Sequence, residues 1–491
     1  MNSKNLKEKT IKGFKWNLFD NVGRSGGQFA IGVILTRLLS PSDFGLVGML
    51  TIFIVVGNSL TNSGFGQALI QKKEATKVDF STVFYFNVFA GTIIYLIFYF
   101  SSPLIAKFYR EPQLILLTKI ICLIILIDAL GAIHKTYLEK NLNFKVPSIV
   151  GVLSVFISGV IGIFMAYNNF GVWSLVLYTV SRSSIATLLL WWLSKWRPLF
   201  VFKIKSLKGL FSYGSKILVA GLINSIFQNI YFLIIGRFFN AETLGYYTRA
   251  NQFSDLPTRT ITSVVQRVTF PVFSIIQNDH QQLISGYTKA IRLLTASVLP
   301  LMALIYITCA PLIKIVFGDQ WLPVAPYLKI MSLYVWINVI IIINNQIIAV
   351  KGRSDYYLRV QVIGKILIVI SIFLTFKNGI IAMIYGHMVA TILTYFISNY
   401  YLNKVIPIRI QHQFKNMSPF IVSAAFMVGS SLPLVNIVKN EILYLLFSVS
   451  LSISIYILFL RIMNINELYM GYKKINAFFR SISIRLKRNN D

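Results

Sequence analysis

Long, mostly apolar runs recur along the whole chain, for example over residues 83–100, 114–127, 299–313 and 442–460. They are too long and too continuous for barrel strands, which alternate in polarity. Backbone amides in hydrocarbon must also bond within their own segment, so the pattern predicts transmembrane helices. About fourteen spans are expected. Six lie near residues 13–36, 44–70, 80–101, 113–133, 147–167 and 170–194, and six near 209–236, 246–276, 290–316, 323–349, 357–377 and 379–402. Two more lie near 417–436 and 441–462. The segment after Arg461 changes character: Ile465, Leu468, Tyr472, Ile475, Phe479, Ile482 and Leu486 fall at three- and four-residue spacing, as in an interfacial amphipathic helix.

The runs also repeat. RLLSPSDFG at 37–45 returns as RFFNAETLG at 237–245, and PLI at 103–105 returns at 311–313 within similar apolar surroundings. The chain therefore reads as a duplication: a six-helix half over 1–194, a basic linker over 195–208 and a second six-helix half over 209–402. Two additional helices over 403–462 and a basic tail over 463–491 follow. The expected fold class is an all-α polytopic membrane bundle. An even number of spans per half gives both copies one orientation, with the pseudo-symmetry axis along the membrane normal and a cavity between the halves.

Composition sharpens this reading. Of 491 residues, 56% are hydrophobic, and the mean hydropathy is +0.68, more apolar surface than one water-soluble core can hide. The formal charge of +31 would suit nucleic acid if it were evenly spread, but it alternates by connection. Lys and Arg crowd the N-terminus (Lys4, Lys7, Lys9, Lys12, Lys15) and the stretches 72–77, 135–145, 195–208, 289–292, 351–359 and 404–415. The connections around Asn168, Asp319, Lys377 and Lys439 are short and nearly uncharged. The positive-inside bias then predicts cytoplasmic termini, and a basic face suits anionic lipid head groups better than DNA or RNA. No nucleic-acid partner is expected; membrane lipids are. Cys122 and Cys309 lie in apolar runs and support neither a disulfide framework nor a Cys-ligated metal. The basic N-terminus leads into a helix interrupted by polar residues, unlike a cleavable signal.

Polar residues inside spans need a reason, because an Arg at the bilayer centre costs about 2.5–3.5 kcal/mol on insertion scales. In the first span Asn17, Asp20, Asn21, Arg24 and Gln28 share one helix face, and the second span adds Asn58 and Asn62. The seventh presents Ser212, Lys216, Asn224 and Gln228; the eighth presents Gln252, Asp255, Arg259, Thr262 and Gln266, with Asp255 and Arg259 spaced to pair. A single Asn or Gln on such a stripe is more simply an interhelical hydrogen bond. Arg24 and Arg259 are stronger functional candidates, with Lys216 and Arg182 adding field. Lys and Arg in a confined cavity favour an anionic solute, and the guanidinium fork matches phosphate. The expected substrate-binding set is Arg24, Arg259, Lys216, Arg182, Asp20, Asn21, Gln28, Asn58, Asn62, Asn224, Gln228, Gln252 and Asp255. Asp128 is a carboxylate placed either to take protons in a coupled cycle or to pair at the interface. His387 reads as a hydrogen-bonded packing residue.

Several chemistries are unsupported. No GxxxxGK[ST] occurs, and the glycines around Arg24 (GRSGG, 23–27) lie within a span, where they favour close helix contact over dinucleotide binding. No HExxH or histidine cluster exists, and no connection is long enough to hold a catalytic domain. The expectation is transport without covalent chemistry, no resident metal or cofactor, and at most a coupling ion, H+ or Na+.

The stretches LLSPSDFGLV (38–47), GFGQALIQ (64–71) and TVF (82–84) resemble the Wzx-type polysaccharide flippases, especially their colanic-acid-exporter-like branch. The likeness continues in IGRFF (235–239), LGYYTRA (244–250), FPVF (270–273) and FGDQWL (317–322), covering residues 5 to 400 or so. It implies the multidrug/oligosaccharidyl-lipid/polysaccharide exporter superfamily: a V-shaped bundle whose central cavity is formed by spans 1, 2, 7 and 8. It further implies movement of undecaprenyl-diphosphate-linked oligosaccharide across the bacterial inner membrane by alternating access. Cavity arginines of related lipid II flippases correspond to Arg24 and Arg259. A polysaccharide polymerase and a chain-length regulator are candidate partners. A drug or metabolite antiporter of the same superfamily, or a non-transporting subunit of a synthase complex, are the alternatives.

Overall fold

The computed structural model describes residues 3–62 and 64–463, apart from the side chains of residues 3–15, 17, 18, 21, 62, 259, 260, 264, 267, 268, 435 and 436. The expected tail over 463–491 lies outside the described residues except for Met463, and no strand occurs among them. The chain divides into two compact units, 1–248 and 249–491.

The first unit contains α1 (Ser3–Leu38), α2 (Pro41–Asn62), the short α3 (Phe65–Gln71), α4 (Lys77–Tyr109), α5 (Leu114–Ile121) and α6 (Leu123–Lys140). It continues with α7 (Lys145–Tyr167), α8 (Val172–Leu193) and α9 (Ile204–Phe238). The division falls inside α10 (Ala241–Ile275). The second unit adds α11 (His280–Phe317), α12 (Val324–Val350), α13 (Ser354–Thr375), α14 (Ile380–Asn403), α15 (Ile410–Ser431), α16 (Leu434–Ile437) and α17 (Glu441–Ile462).

Among the described residues, eleven helical segments are long and apolar enough to cross a bilayer. The other three expected spans coincide with α1, α10 and α15. With 36 and 35 residues, α1 and α10 exceed a hydrocarbon thickness of about 30 Å at about 1.5 Å rise per residue; their polar stripes lower their hydropathy.

The duplicated signature has a local physical meaning. Ser40 and Asp43 form a capping box ahead of α2: the Ser40 amide donates to Asp43 Oδ2 at 3.0 Å, and the Asp43 amide donates to Ser40 Oγ at 3.3 Å. At the corresponding place before α10, Asn240 Oδ1 accepts from the Thr243 amide at 2.8 Å. At one end of the first unit Arg237 donates to the Phe108 carbonyl at 2.5 Å, near the C-terminus of α4. At the other end the basic connections bond to one another. Lys140 donates to the Leu69 carbonyl at 2.6 Å, Lys72 pairs with Asp79 at 2.7 Å, and Ser206 Oγ donates to the same Asp79. The linker is fixed further by buried Trp196, which packs on Phe80, Phe84 and His134.

In the second unit α11 packs against α12, α15 and α17. Its core holds polar ties: Tyr287 Oη donates to Asn344 Oδ1 at 2.6 Å, Asn344 Nδ2 to Ser398 Oγ at 2.9 Å, and Tyr395 Oη to Gln413 Oε1 at 2.8 Å. Such bonds hold helices together where apolar contact gains nothing over lipid. His387 lies 3.2 Å from Tyr334 Oη, the packing role expected of it.

Candidate functional site

Close packing of small residues sets α1 against α7. A β-carbon on Gly23 would stand 2.9 Å from Val152 Cγ2, and one on Gly159 would stand 2.2 Å from Ile31 Cδ1. Of the glycines around Arg24, Gly23 and Gly27 thus serve close helix contact, whereas a β-carbon on Gly26 would meet open space. On the other flank Ser59 of α2 meets Ser225 of α9 at 2.7 Å. The first unit also holds an open cavity of about 830 Å³.

Each wall contributes particular chemistry. Arg24 comes from α1, Asn58 from α2, Gln67 from α3, and Asp128, Lys135 and Glu139 from α6. Ser154 comes from α7, and Arg182, Ser183 and Thr187 from α8, while α9 presents only Ile217 and Gly221. Three cations and two carboxylates therefore stand in a lining that is otherwise largely apolar.

Arg24 does not stand alone. Its guanidinium lies 3.7 Å from Asp20 Oδ2, one turn earlier, and the other Asp20 oxygen is buried without a hydrogen bond. A β-carbon on Gly151 would come within 2.7 Å of that oxygen, so only a glycine of α7 leaves the carboxylate room. Arg182 lines the cavity and forms no ion pair or hydrogen bond among the described residues. Lys135 and Glu139 pair at 3.8 Å on one face of α6. The densest polar contact lies at Asp128, where Asn58 Nδ2 donates to Oδ2 at 3.0 Å and Ser183 Oγ donates to Oδ1, tying α2, α6 and α8 at one carboxylate.

Of the expected site residues, the structure brings Arg24, Asp20, Asn58 and Arg182 to this cavity or its edge. Gln28 is half-buried one turn beyond Arg24 on α1. Lys216, Asn224 and Gln228 are exposed on α9 and do not line it. Gln252 accepts from Arg249 Nη1 at 2.6 Å, and Asp255 is half-buried; both belong to the second unit. The side chains of Asn21, Asn62 and Arg259 lie outside the described residues. Asp128, Lys135, Glu139, Ser183 and Thr187 were missing from the expected set. Asp128, Lys135 and Glu139 follow at seven- and four-residue steps, a stripe on α6 as regular as the one on α1 and open to the same periodicity argument.

Many long apolar helices, with a cavity bearing charged side chains in the first unit, define a multi-pass membrane protein. Residues 34–326 match the family described as "Polysaccharide biosynthesis protein", and the chain belongs to that family. This bears out the resemblance carried by the separated motifs. The teichuronic acid biosynthesis protein TuaB of Bacillus subtilis is 28% identical over 86% of this chain and 88% of its own. The lipopolysaccharide biosynthesis protein WzxC of Escherichia coli is 23% identical over 80% of this chain and 81% of its own. Among solved structures, the lipid II flippase MurJ in an inward closed conformation superimposes with a TM-score of 0.74. It is 16% identical over 92% of this chain and 98% of that one. An inward-facing MATE family multidrug transporter gives 0.59 at 13% identity, over 78% of this chain and 95% of that one. At these identities both show a shared fold.

Proposed function

We propose that the protein is a flippase that moves undecaprenyl-diphosphate-linked oligosaccharide repeat units across the bacterial inner membrane, from cytoplasmic to periplasmic leaflet, for polysaccharide biosynthesis. The observation that carries this reading is the cavity lined by both Arg24 and Arg182, within a chain of the polysaccharide biosynthesis family. The relatives named for teichuronic acid and lipopolysaccharide biosynthesis, and the fold shared with a lipid II flippase, support it.

In this mechanism the pyrophosphate is held by Arg24 and Arg182 and, at another stage of the cycle, by Arg259, and neutral groups such as Asn58 bond sugar hydroxyls. Lys216, Asn224, Gln228, Gln252 and Asp255 meet the head group at other stages, and the polyprenyl tail stays in lipid. Alternating access exposes the head group to the opposite side without any covalent step. The basic end and both termini face the cytoplasm, and an ion gradient biases the cycle. A polysaccharide polymerase receives the product.

Complementation tests this directly. Arg24→Ala and Arg259→Ala variants, expressed at normal level in a strain lacking the protein, should fail to restore surface polysaccharide. Lipid-linked repeat units should accumulate on the cytoplasmic leaflet. Full restoration by both variants would remove the charged-cavity mechanism.

A further inference from the structure

Among the described residues, Asp128 is the carboxylate that joins three helices of the first unit at the wall of the cavity. Both polar neighbours donate to it: Asn58 Nδ2 to one oxygen and Ser183 Oγ to the other. The remaining amide oxygen, Asn58 Oδ1, is buried without a hydrogen-bond partner. Both carboxylate oxygens thus accept from donors, an arrangement that favours the charged form yet leaves the group able to take a proton.

The charges that reach Asp128 can be enumerated by element. From α8 comes Arg182, and from its own helix come Lys135 and, beyond it, Glu139, which is paired with Lys135. From α1 comes Arg24, already shared with Asp20. Near this part of α6, α4 presents Gly91, packed on Ala129, and the cation of α5, Lys119, lies over the Tyr99 ring. Asn58 of α2 and Ser154 of α7 are neutral, Gln67 of α3 likewise, and α9 lines the cavity with Ile217 and Gly221. His134 points into the Phe84, Trp191 and Trp196 rings. Arg182 is thus the cation that an ionised Asp128 and an anion in the cavity must share.

We propose that Asp128 is a proton-binding site whose occupancy is linked to anion binding in the same cavity. An anion seated against Arg182 adds negative charge beside Asp128, and the carboxylate then takes a proton from cavity water to become a neutral carboxyl. Reciprocally, protonation frees the field of Arg182 for the anion. The coupling is positive: proton and anion occupy the cavity together. This inference rests on the anionic-substrate reading above and adds the group that answers to the anion's charge.

Infrared difference spectroscopy of the full chain in proteoliposomes tests it, with sulfate as probe because that dianion does not titrate near neutral pH. Adding sulfate should produce a protonated-carboxyl band that is absent in Asp128→Asn. Sulfate should bind roughly fivefold or more tightly below the band's midpoint pH than above it. Ser183→Ala, which keeps the carboxyl but removes a donor to its charged form, should move the band's midpoint to higher pH. Absence of sulfate binding, the same band in Asp128→Asn, or an unmoved midpoint in Ser183→Ala would each overturn the proposal. So would sodium abolishing the band at constant pH, which would mark a metal-cation site. Proton linkage seen without movement of lipid-linked oligosaccharide would uphold this inference and sink the flippase reading.

Discussion

A β-carbon placed on Gly45 would lie 1.7 Å from the carbonyl oxygen of Ala241, and one placed on Gly245 would lie 1.9 Å from the carbonyl oxygen of Pro41. The contact is reciprocal, since Pro41 and Ala241 open α2 and α10 and the two glycines hold equivalent places in the duplicated signature. Each helix start rests its first-turn backbone on the other's glycine, where no side chain fits. The repeated motif is therefore a docking device as well as a helix cap.

Gly45→Ala and Gly245→Ala should each force the starts of α2 and α10 apart. Overpacking against backbone should cost about 1–3 kcal/mol for this arrangement. In detergent the variants should melt at lower temperature, and in cells they should restore little surface polysaccharide. Wild-type melting and full restoration in both would show that the contact is dispensable.

Arg237→Ala provides a contrast. Its guanidinium bonds the Phe108 carbonyl and lies 5.0 Å from that ring's centroid, a helix-end role outside the cavity. Removing it should cost about 0.5–1 kcal/mol and leave export near wild type. A loss of export comparable to that expected of Arg24→Ala would make this arginine part of the transport machinery.

Asp79 is buried at the start of α4, where it accepts from Lys72, from the Thr76 backbone amide at 2.9 Å and from Ser206 at the entrance to α9. Asp79→Ala should therefore release the linker, because several buried donors lose one shared acceptor at about 1–3 kcal/mol for each group left unsatisfied. Limited proteolysis between residues 195 and 208 should accelerate, with a lower melting temperature. An unchanged cleavage rate would place the linker's order elsewhere, in the Trp196 packing.

Asp20→Asn should strengthen anion binding, since it removes the carboxylate 3.7 Å from Arg24 while keeping its shape. A severalfold gain in sulfate affinity is expected, with slower export if release limits the cycle. Weaker sulfate binding would mean that Asp20 orients Arg24 for the anion more than it competes with it.

Much of the fold was legible in the chain. Apolar runs with no alternation marked the helices, because a backbone in hydrocarbon must satisfy itself. The duplicated signature and the alternation of basic connections could be read locally. So could the stripe bearing Asp20, Arg24 and Gln28, because helical period alone puts those residues on one face. The stripe of Asp128, Lys135 and Glu139 obeyed the same rule, but Asp128 reads singly as a carboxylate in an apolar run and Lys135 reads as part of the basic connection over 135–145.

Which stripes meet was decided only in three dimensions. Asn58, Asp128 and Ser183 are far apart in the chain and converge because α2, α6 and α8 pack side by side. Lys216, Asn224 and Gln228 share a polar pattern with the first span, yet α9 turns Ile217 and Gly221 to the cavity. The sequence by itself determined the helices, their duplication and the polar face of each. The rotation of each helix, and hence the company each charge keeps, was left to tertiary packing. Helices in a membrane find their facing by close contact at small residues such as Gly23, Gly151 and Gly159, and that contact depends on the partner surface as much as on the helix itself.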